Sequence, residues 1–316
     1  MTPPLVDVLL ATYNGARYLE PQLDSLLRQA NQCFRLLVSD DGSTDATLDI
    51  VRRYRAAFGE RLVLLDRAAP NVGAVRNFER LMQASLTAGQ AKWVAFCDQD
   101  DVWLPHKMDA MLQAMWAIER QVGAHKPCLV HSDLVVVDAS LRLISPSYVA
   151  YQRTQPGDFT PVHLLSVNPV TGCTAMVNQA LLKMALPLPP EVVMHDWWCA
   201  LISGSGMRHY MNEPLVQYRQ HGSNQLGARD RGLRSRLLRL VRDAGGEWQH
   251  LRALGHVTRA QAMALQQRLS TLGLDARYVA DYLAWRERPL LWRLKSYRRY
   301  FCGPELDRLA RCVVWG

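Results

Sequence analysis

The sequence predicts an α/β fold: a mostly parallel sheet flanked by helices, followed by a basic helical region. Three observations carry this expectation. Short apolar runs alternate with amphipathic helical segments through the first part of the chain. The runs are apolar throughout rather than at every second residue, as befits strands covered on both faces. The charge balance then changes, since residues 229–316 hold 18 Lys/Arg against 8 Asp/Glu, out of 37 and 29 in the whole chain.

Taken in order, 5–12 (LVDVLLAT) predicts a buried strand closed by the turn Thr12-Tyr13-Asn14-Gly15. Leu19, Leu23, Leu26 and Leu27 follow a helical spacing. Residues 34–38 predict a second strand, closed by a polar run in which Ser43, Thr44 or Asp45 would cap the next helix. Residues 62–65 predict a third strand, 74–88 a helix, 92–97 a fourth strand and 105–121 another helix. Strands alternating with helices imply βαβ units. Past 128 the pattern loosens. Residues 128–138 read as one long strand, 145–161 as a loop, 172–177 as a strand and 195–203 as a helix opened by an acid. Residues 207–211 and 214–221 read as two strands, and helical spacings return from 229. These readings divide the chain into a sheet domain, 1–225, and a basic helical region, 226–316.

Composition sets the bounds. A chain of 316 residues, 49% apolar and 21% charged, is an ordinary globular protein with a real core. Disorder, collagen and disulfide scaffolds are excluded. Seven widely spaced cysteines without a C-x-x-C argue against zinc and for a reducing compartment. Met-Thr-Pro-Pro has no basic leader, and no run approaches the roughly 18–20 apolar residues of a membrane span. The expectation is a cytoplasmic protein. The net charge of +8 sits in the tail, where it suits an anionic partner or forms a solvated set of Arg-rich helices.

In a parallel sheet, ligands bind beyond the carboxyl ends of the strands. Tyr13-Asn14, Asp40-Asp41 and Asp98-Gln99-Asp100-Asp101 each follow a predicted strand, so the fold would gather them. A D-x-D triplet alone says little. Three carboxylates in four residues repel one another unless a cation sits among them, and hard oxygen donors suit Mg2+ or Mn2+ carrying a phosphorylated ligand. The alternative is a capped turn before Pro105. Neither G-x-G-x-x-G nor G-x-x-x-x-G-K-[ST] is present, which disfavours dinucleotide and P-loop chemistry.

LLATYNGARYLEPQLDSLLRQ (9–29), LLVSDDGSTDAT (36–47), NVGAVRNF (71–78) and FCDQDDVWLPHKM (96–108) occur in order. Together they resemble the family 2 glycosyltransferases, whose fold is GT-A, a Rossmann-like sheet flanked by helices. The D-Q-D-D-x-W form, HDWW (195–198) and YRQHGSN (218–224) are closest to the bacterial rhamnosyltransferase-like branch. The resemblance covers about 5–225 and fades beyond.

The resemblance implies roles residue by residue. Ala11 and Tyr13 would cradle the nucleotide base, and Asp41, with Asp40 close by, would bond the pyrimidine ring. Asp98 would stand near ribose and metal, and Asp100 would ligate the metal directly. Asp101 more often orients the sugar or caps a helix. Arg76 would meet the diphosphate, unless it is a surface arginine. His221 would reach metal or diphosphate, unless it is structural. Asp196 would be the catalytic base, unless it only caps its helix. The family often has Glu-Asp there; His195 replaces the first acid and either tunes Asp196 or meets acceptor. Trp197 and Trp198 would wall a sugar face or pack in the core.

The implied reaction is inverting, metal-dependent transfer from a nucleotide-sugar donor, with dTDP-L-rhamnose first and a UDP-hexose second. The acceptor would be a cell-surface glycan or lipid-linked saccharide. Trp285, Trp292 and Tyr297 among Arg286, Arg288, Arg293, Lys295, Arg298 and Arg299 would suit peripheral contact with an anionic membrane, or would pack inward. A non-catalytic sugar-binding protein is a further alternative. Nucleic acid is not expected as partner, because the acids at the strand ends would repel its phosphates.

Overall fold

The computed structural model describes residues 6–66, 71–152, 159–222 and 233–315. The first half alternates as expected: β1 (Val6–Thr12), α1 (Ala16–Leu27), β2 (Phe34–Asp40), α2 (Thr47–Phe58), β3 (Leu62–Leu64), α3 (Ala74–Ala88), β4 (Trp93–Cys97), β5 (Val102–Trp103) and α4 (Lys107–Val122). Then come β6 (Cys128–Val137), β7 (Leu143–Ser145), α5 (Tyr148–Gln152), α6 (Pro161–Leu164), β8 (Ala175–Asn178), α7 (Gln179–Ala185), α8 (His195–Ser203) and β9 (Met207–Arg219). The chain closes with α9 (Leu233–Thr271), α10 (Arg277–Arg286), α11 (Leu290–Ser296) and α12 (Glu305–Val314).

The sheet runs β3-β2-β1-β4-β8-β6-β9-β5, with β7 on β6. It is parallel from β3 to β4 and again between β6 and β9. Antiparallel pairing enters where β8 joins the two parts, and at β5 and β7.

Alternate residues of the central strands feed two apolar layers, because successive side chains point to opposite faces. Leu9, Leu37, Val94 and Phe96 face the layer built with α3, α7 and α8. Val8, Leu10, Leu36, Val38, Ala95 and Cys97 face the layer built with α1, α2 and α4. The first layer also takes Leu265, Leu269, Val279, Tyr282, Trp285, Phe301 and Trp315 from the C-terminal helices. Those helices therefore share a core with the sheet, and Trp285 and Tyr297, both buried, pack inward.

Two expectations are corrected. The stretch 145–161, read as a loop, contains α5, whose Tyr148 and Tyr151 pack on the second layer. Residues 207–211 and 214–221, read as two strands, form the single strand β9. Pro214 in that run has no N–H to give, and the pairing with β6 shifts register there, from Ser132 with Met211 to Asp133 with Pro214. A bulge thus absorbs the proline without ending the strand. No helix among the described residues is long and apolar enough to cross a membrane.

Candidate active site

The loops after β1, β2 and β4 open on the same edge of the sheet, since Thr12 pairs with Asp40 and Leu10 with Cys97. Between them lies a cavity of about 340 Å3. Ala11, Tyr13, Asp41, Asp98, Asp100 and Asp196 all line it, although the outermost are far apart in sequence. Asp40, Arg76 and His221 are not among its lining residues.

The loop after β1 is built from side chains of the next loop. Ser43 Oγ accepts from Asn14 N at 2.8 Å, Thr47 Oγ1 from Gly15 N at 2.8 Å, and Asp45 Oδ2 from Ala16 N at 3.1 Å. Of the residues expected to cap the next helix, Ser43 and Asp45 thus serve the start of α1, and Asp45 Oδ1 also accepts from Thr47 N at 3.0 Å in the first turn of α2. Asn14 takes a left-handed φ of 46° and accepts from Thr44 N at 2.8 Å. This holds Tyr13 in an exposed position, 47% accessible, available to stack on a flat ligand.

Gln99 fixes the same loop from the other side. Its Nε2 donates to the Tyr13 carbonyl at 3.0 Å, and its Oε1 accepts from Tyr13 N at 2.9 Å. A Cβ on Gly15 would lie 2.1 Å from Gln99 Oε1, so only glycine admits that approach. Neither residue is marked for this by its sequence alone. The middle letter of D-Q-D was the available signal.

Asp40 and Asp41 have separate jobs. Asp40 is buried and accepts from Thr12 Oγ1, from Gly42 N and from Ser43 N and Oγ, closing the turn. Asp41 reaches the cavity and accepts from Val72 N and Gly73 N, both at 2.8 Å. Each carboxylate oxygen keeps a second lone pair for a ligand donor. Arg76 points elsewhere. It donates to Glu79 and, at 2.9 Å, to the Leu188 carbonyl, while Glu79 accepts from Leu188 N at 2.7 Å.

The acids after β4 form the electrostatic centre. Burial, then the charges of Asp101, Asp100 and Asp196, hold Asp98 well above the usual carboxylate range. Burial and the Asp100 charge push Asp101 up to about 7. Asp101 accepts from Arg219 N at 3.1 Å, and its other oxygen is buried beside the Cys173 thiol. Lys107, fully buried, donates to the Cys173 carbonyl and lies 3.7 Å from the Trp103 ring centre. Its charge offsets part of the repulsion at Asp98, and burial pulls its own pKa down to about 8.

Sequence reasoning groups Asp98, Asp100 and His221 as metal ligands. In the structure, donor atoms of Asp98, Asp101 and Cys173 lie within 4.8 Å of one another. Asp100 Oδ2 instead meets His221 Nε2 at 2.8 Å, and the His221 ring stacks on Tyr18 at 4.5 Å. Carboxylates destabilised by their own mutual charge are chemically suited to a divalent cation, which would offset two charges at once.

Across the cavity, Asp196 occupies the first turn of α8. Its Oδ1 accepts from Trp197 N at 2.7 Å, and Asn168 and the Gly172 amide also bond it. Burial dominates and raises it to about 6, a value suited to a base near neutral pH. His195 beside it stacks on Phe78 at 3.8 Å and meets the edge of Phe96 at 4.8 Å. Burial lowers His195 to about 3, so the ring is neutral, and neither ring nitrogen has a hydrogen-bond partner among the described residues. Trp197 and Trp198 are core residues, donating to the Leu164 and Ala185 carbonyls. Gly172 is a further residue the sequence reading missed: a Cβ there would lie 3.2 Å from His195 Nε2.

A mixed α/β sheet with acids gathered beyond its strand ends, beside a lined cavity, is the GT-A arrangement. Residues 7–124 match the family described as Glycosyl transferase family 2. It is similar to the dTDP-rhamnosyl transferase RfbG of Shigella flexneri, 26% identical over 69% of this chain and 74% of the relative. It is also similar to the putative teichuronic acid biosynthesis glycosyltransferase TuaG of Bacillus subtilis, 25% identical over 68% of this chain and 79% of the relative. Among solved structures, S. aureus TarS 1-349 in complex with UDP-GlcNAc covers 98% of this chain and 89% of its own, with a TM-score of 0.53 and 16% identity. The mannosyltransferase PcManGT from Pyrobaculum calidifontis, in complex with GDP-Man and Mn2+, covers 99% and 85%, with a TM-score of 0.50 and 18% identity.

Proposed function

We propose that the chain transfers a sugar, L-rhamnose from dTDP-L-rhamnose, to a hydroxyl of a cell-surface glycan or lipid-linked saccharide, with inversion at the anomeric carbon. The observation that carries this reading is the meeting of Asp41, Asp98, Asp100 and Asp196 around one cavity. Rhamnose is favoured by the likeness to RfbG, itself a dTDP-rhamnosyl transferase.

In this reading Tyr13 stacks on the base, the Ala11 backbone borders it, and Asp41 accepts a ring N–H. Asp98 and Asp100 would hold Mg2+ or Mn2+, with His221 supporting Asp100. When bound, the ion would offset the charge that develops on the departing diphosphate. Asp196 takes the proton from the acceptor hydroxyl as that oxygen attacks the anomeric carbon, and the diphosphate leaves from the opposite face. Asn168, Gly172 N and Trp197 N keep the Asp196 carboxylate in one orientation. The inward-facing Trp197 and Trp198 favour a core role for both. Arg76 serves the loop around Leu188 rather than the diphosphate, and Asp40 serves its own turn.

We take residues 1–225 as the donor-handling unit and 226–316 as a helical buttress on it. The place of action would be the inner face of the membrane, where a lipid-linked acceptor is found.

The test is a melting-shift panel of dTDP-, UDP- and GDP-sugars with and without Mn2+, followed by product detection. A ligand at 100 times its dissociation constant adds about 2.7 kcal/mol of stability. The expected result is a metal-dependent shift with dTDP-rhamnose. A shift confined to UDP- or GDP-sugars would replace the donor, and no shift with any donor would reject the transferase reading.

A further inference from the structure

We propose that α11 and its flanks seat the protein on an anionic lipid surface. The use of such a seat rests on the membrane-bound acceptor proposed above; the surface itself is argued from α11. That helix packs Leu294 on the core but turns three other apolar side chains outward. Arg293 is buried and donates to the Cys312 carbonyl, while Leu290, Leu291 and Trp292 are 40%, 75% and 57% exposed. Burying a guanidinium costs free energy, and so does leaving a leucine pair and a tryptophan in water. The second cost falls when the outward face meets an apolar medium. Leu306 and Val313 of α12, which packs on α11, are also exposed and lie two turns apart on one face.

Charge selects the occupant. Arg288 and Lys295 both lie over the Trp292 ring, at 5.8 and 5.3 Å. Neither has a carboxylate partner among the described residues, whereas Arg259, Arg277, Arg298 and Arg299 nearby are paired with Glu287, Asp275, Glu305 and Asp281. An apolar cluster carrying two unpaired cations and a tryptophan matches the boundary between anionic headgroups and acyl chains. A second copy would bring the same cations face to face.

The experiment is co-sedimentation of the full chain with vesicles of phosphatidylcholine, with and without one-third phosphatidylglycerol. Binding should require the anionic lipid. Each lost cation should lower partition about fivefold, so Arg288→Gln with Lys295→Gln should lower it about 25-fold. Leu291→Ser with Trp292→Ser should lower it at least about tenfold. Met263→Ser, which removes an exposed methionine on α9, should leave it unchanged. The melting shift with donor is read on the same samples, so a failed donor reading and a failed lipid reading are told apart. Absent vesicle binding, or binding unchanged in both double variants, overturns the proposal. So does a dimer by light scattering that Leu291→Ser with Trp292→Ser splits, since the patch would then join two copies.

Discussion

Asp196→Asn should cripple turnover and, above mild acidity, make the protein more stable. The carboxyl is raised from 3.8 to about 6 by burial, against the pull of its hydrogen bonds. The unfolded chain therefore ionises this group more readily than the folded one. The stability tied to the neutral form is complete below pH 3.8, begins to fade there, and is lost once the pH passes about 6. A shift of that size corresponds to about 3 kcal/mol. Roughly half of it falls between about pH 5 and about pH 8. Asparagine carries no charge, so the variant should gain about 1–1.5 kcal/mol on the natural chain across that interval. Removing the charge also relieves Asp98, which feels Asp196, and the sign is the same. Urea unfolding of both proteins at several pH values reads the difference directly, and other titrating groups cancel. Turnover should fall by about 10²–10⁴, the range for loss of a general base. A stability difference that stays flat with pH would refute the buried-acid argument, and turnover near normal would refute the role.

Other outcomes follow from the same geometry. In the natural chain, kcat/KM should rise with pH and level off above about 6, because the base must be ionised; a flat profile in steady-state assays would count against Asp196. Gly15→Ala should weaken donor binding by driving Gln99 off the Tyr13 backbone, and Gln99→Ala should add little more in the double variant; full additivity in calorimetric titrations would deny that contact. Arg76→Ala should lower stability by about 1–3 kcal/mol through the Leu188 loop and leave the donor dissociation constant unchanged; a large loss of donor affinity would return Arg76 to the diphosphate. His195 should show no titration by NMR between about pH 5 and about pH 8, since its ring stays neutral there.

The first half of the fold was legible because its strands are apolar on both faces and its helices amphipathic, so period and punctuation agree. The helix expected over 74–88 is α3 residue for residue. The second half was harder for identifiable reasons. Pro214 looks like a strand end in sequence, but a bulge keeps it inside β9. Ser, Pro and Gly in 145–161 hide α5, a helix of five residues that owes its place to Tyr148 and Tyr151 packing on the sheet rather than to propensity. β5, two residues long, exists through its pairing with Val216 and Gln217, which no local pattern announces.

The site divides along the same line. Acids beyond apolar strands could be found from sequence, and Asp41, Asp98 and Asp100 do meet, together with Asp196, which opens a helix and is named only by the family resemblance. Residues whose part depends on reach across the fold could not. Gln99 grips a backbone 86 positions away, and Arg76 turns from the cavity to carbonyls more than a hundred positions on. The same limit applies within the acidic run itself. Spacing alone treats Asp98, Asp100 and Asp101 as one triplet, yet the fold sends them to different neighbours: Asp100 to His221, Asp101 to Arg219 N and Cys173. Lys107 is the counter-charge within this cluster. Its buried ammonium offsets part of the repulsion, at the cost of its own desolvation. Remove that ammonium, as in Lys107→Met, and the acids must either protonate or find another cation. Such a variant should therefore unfold at lower temperature without divalent metal and recover much of the loss with it. Equal losses with and without Mn2+ would mean that Lys107 acts through packing on Trp103 instead.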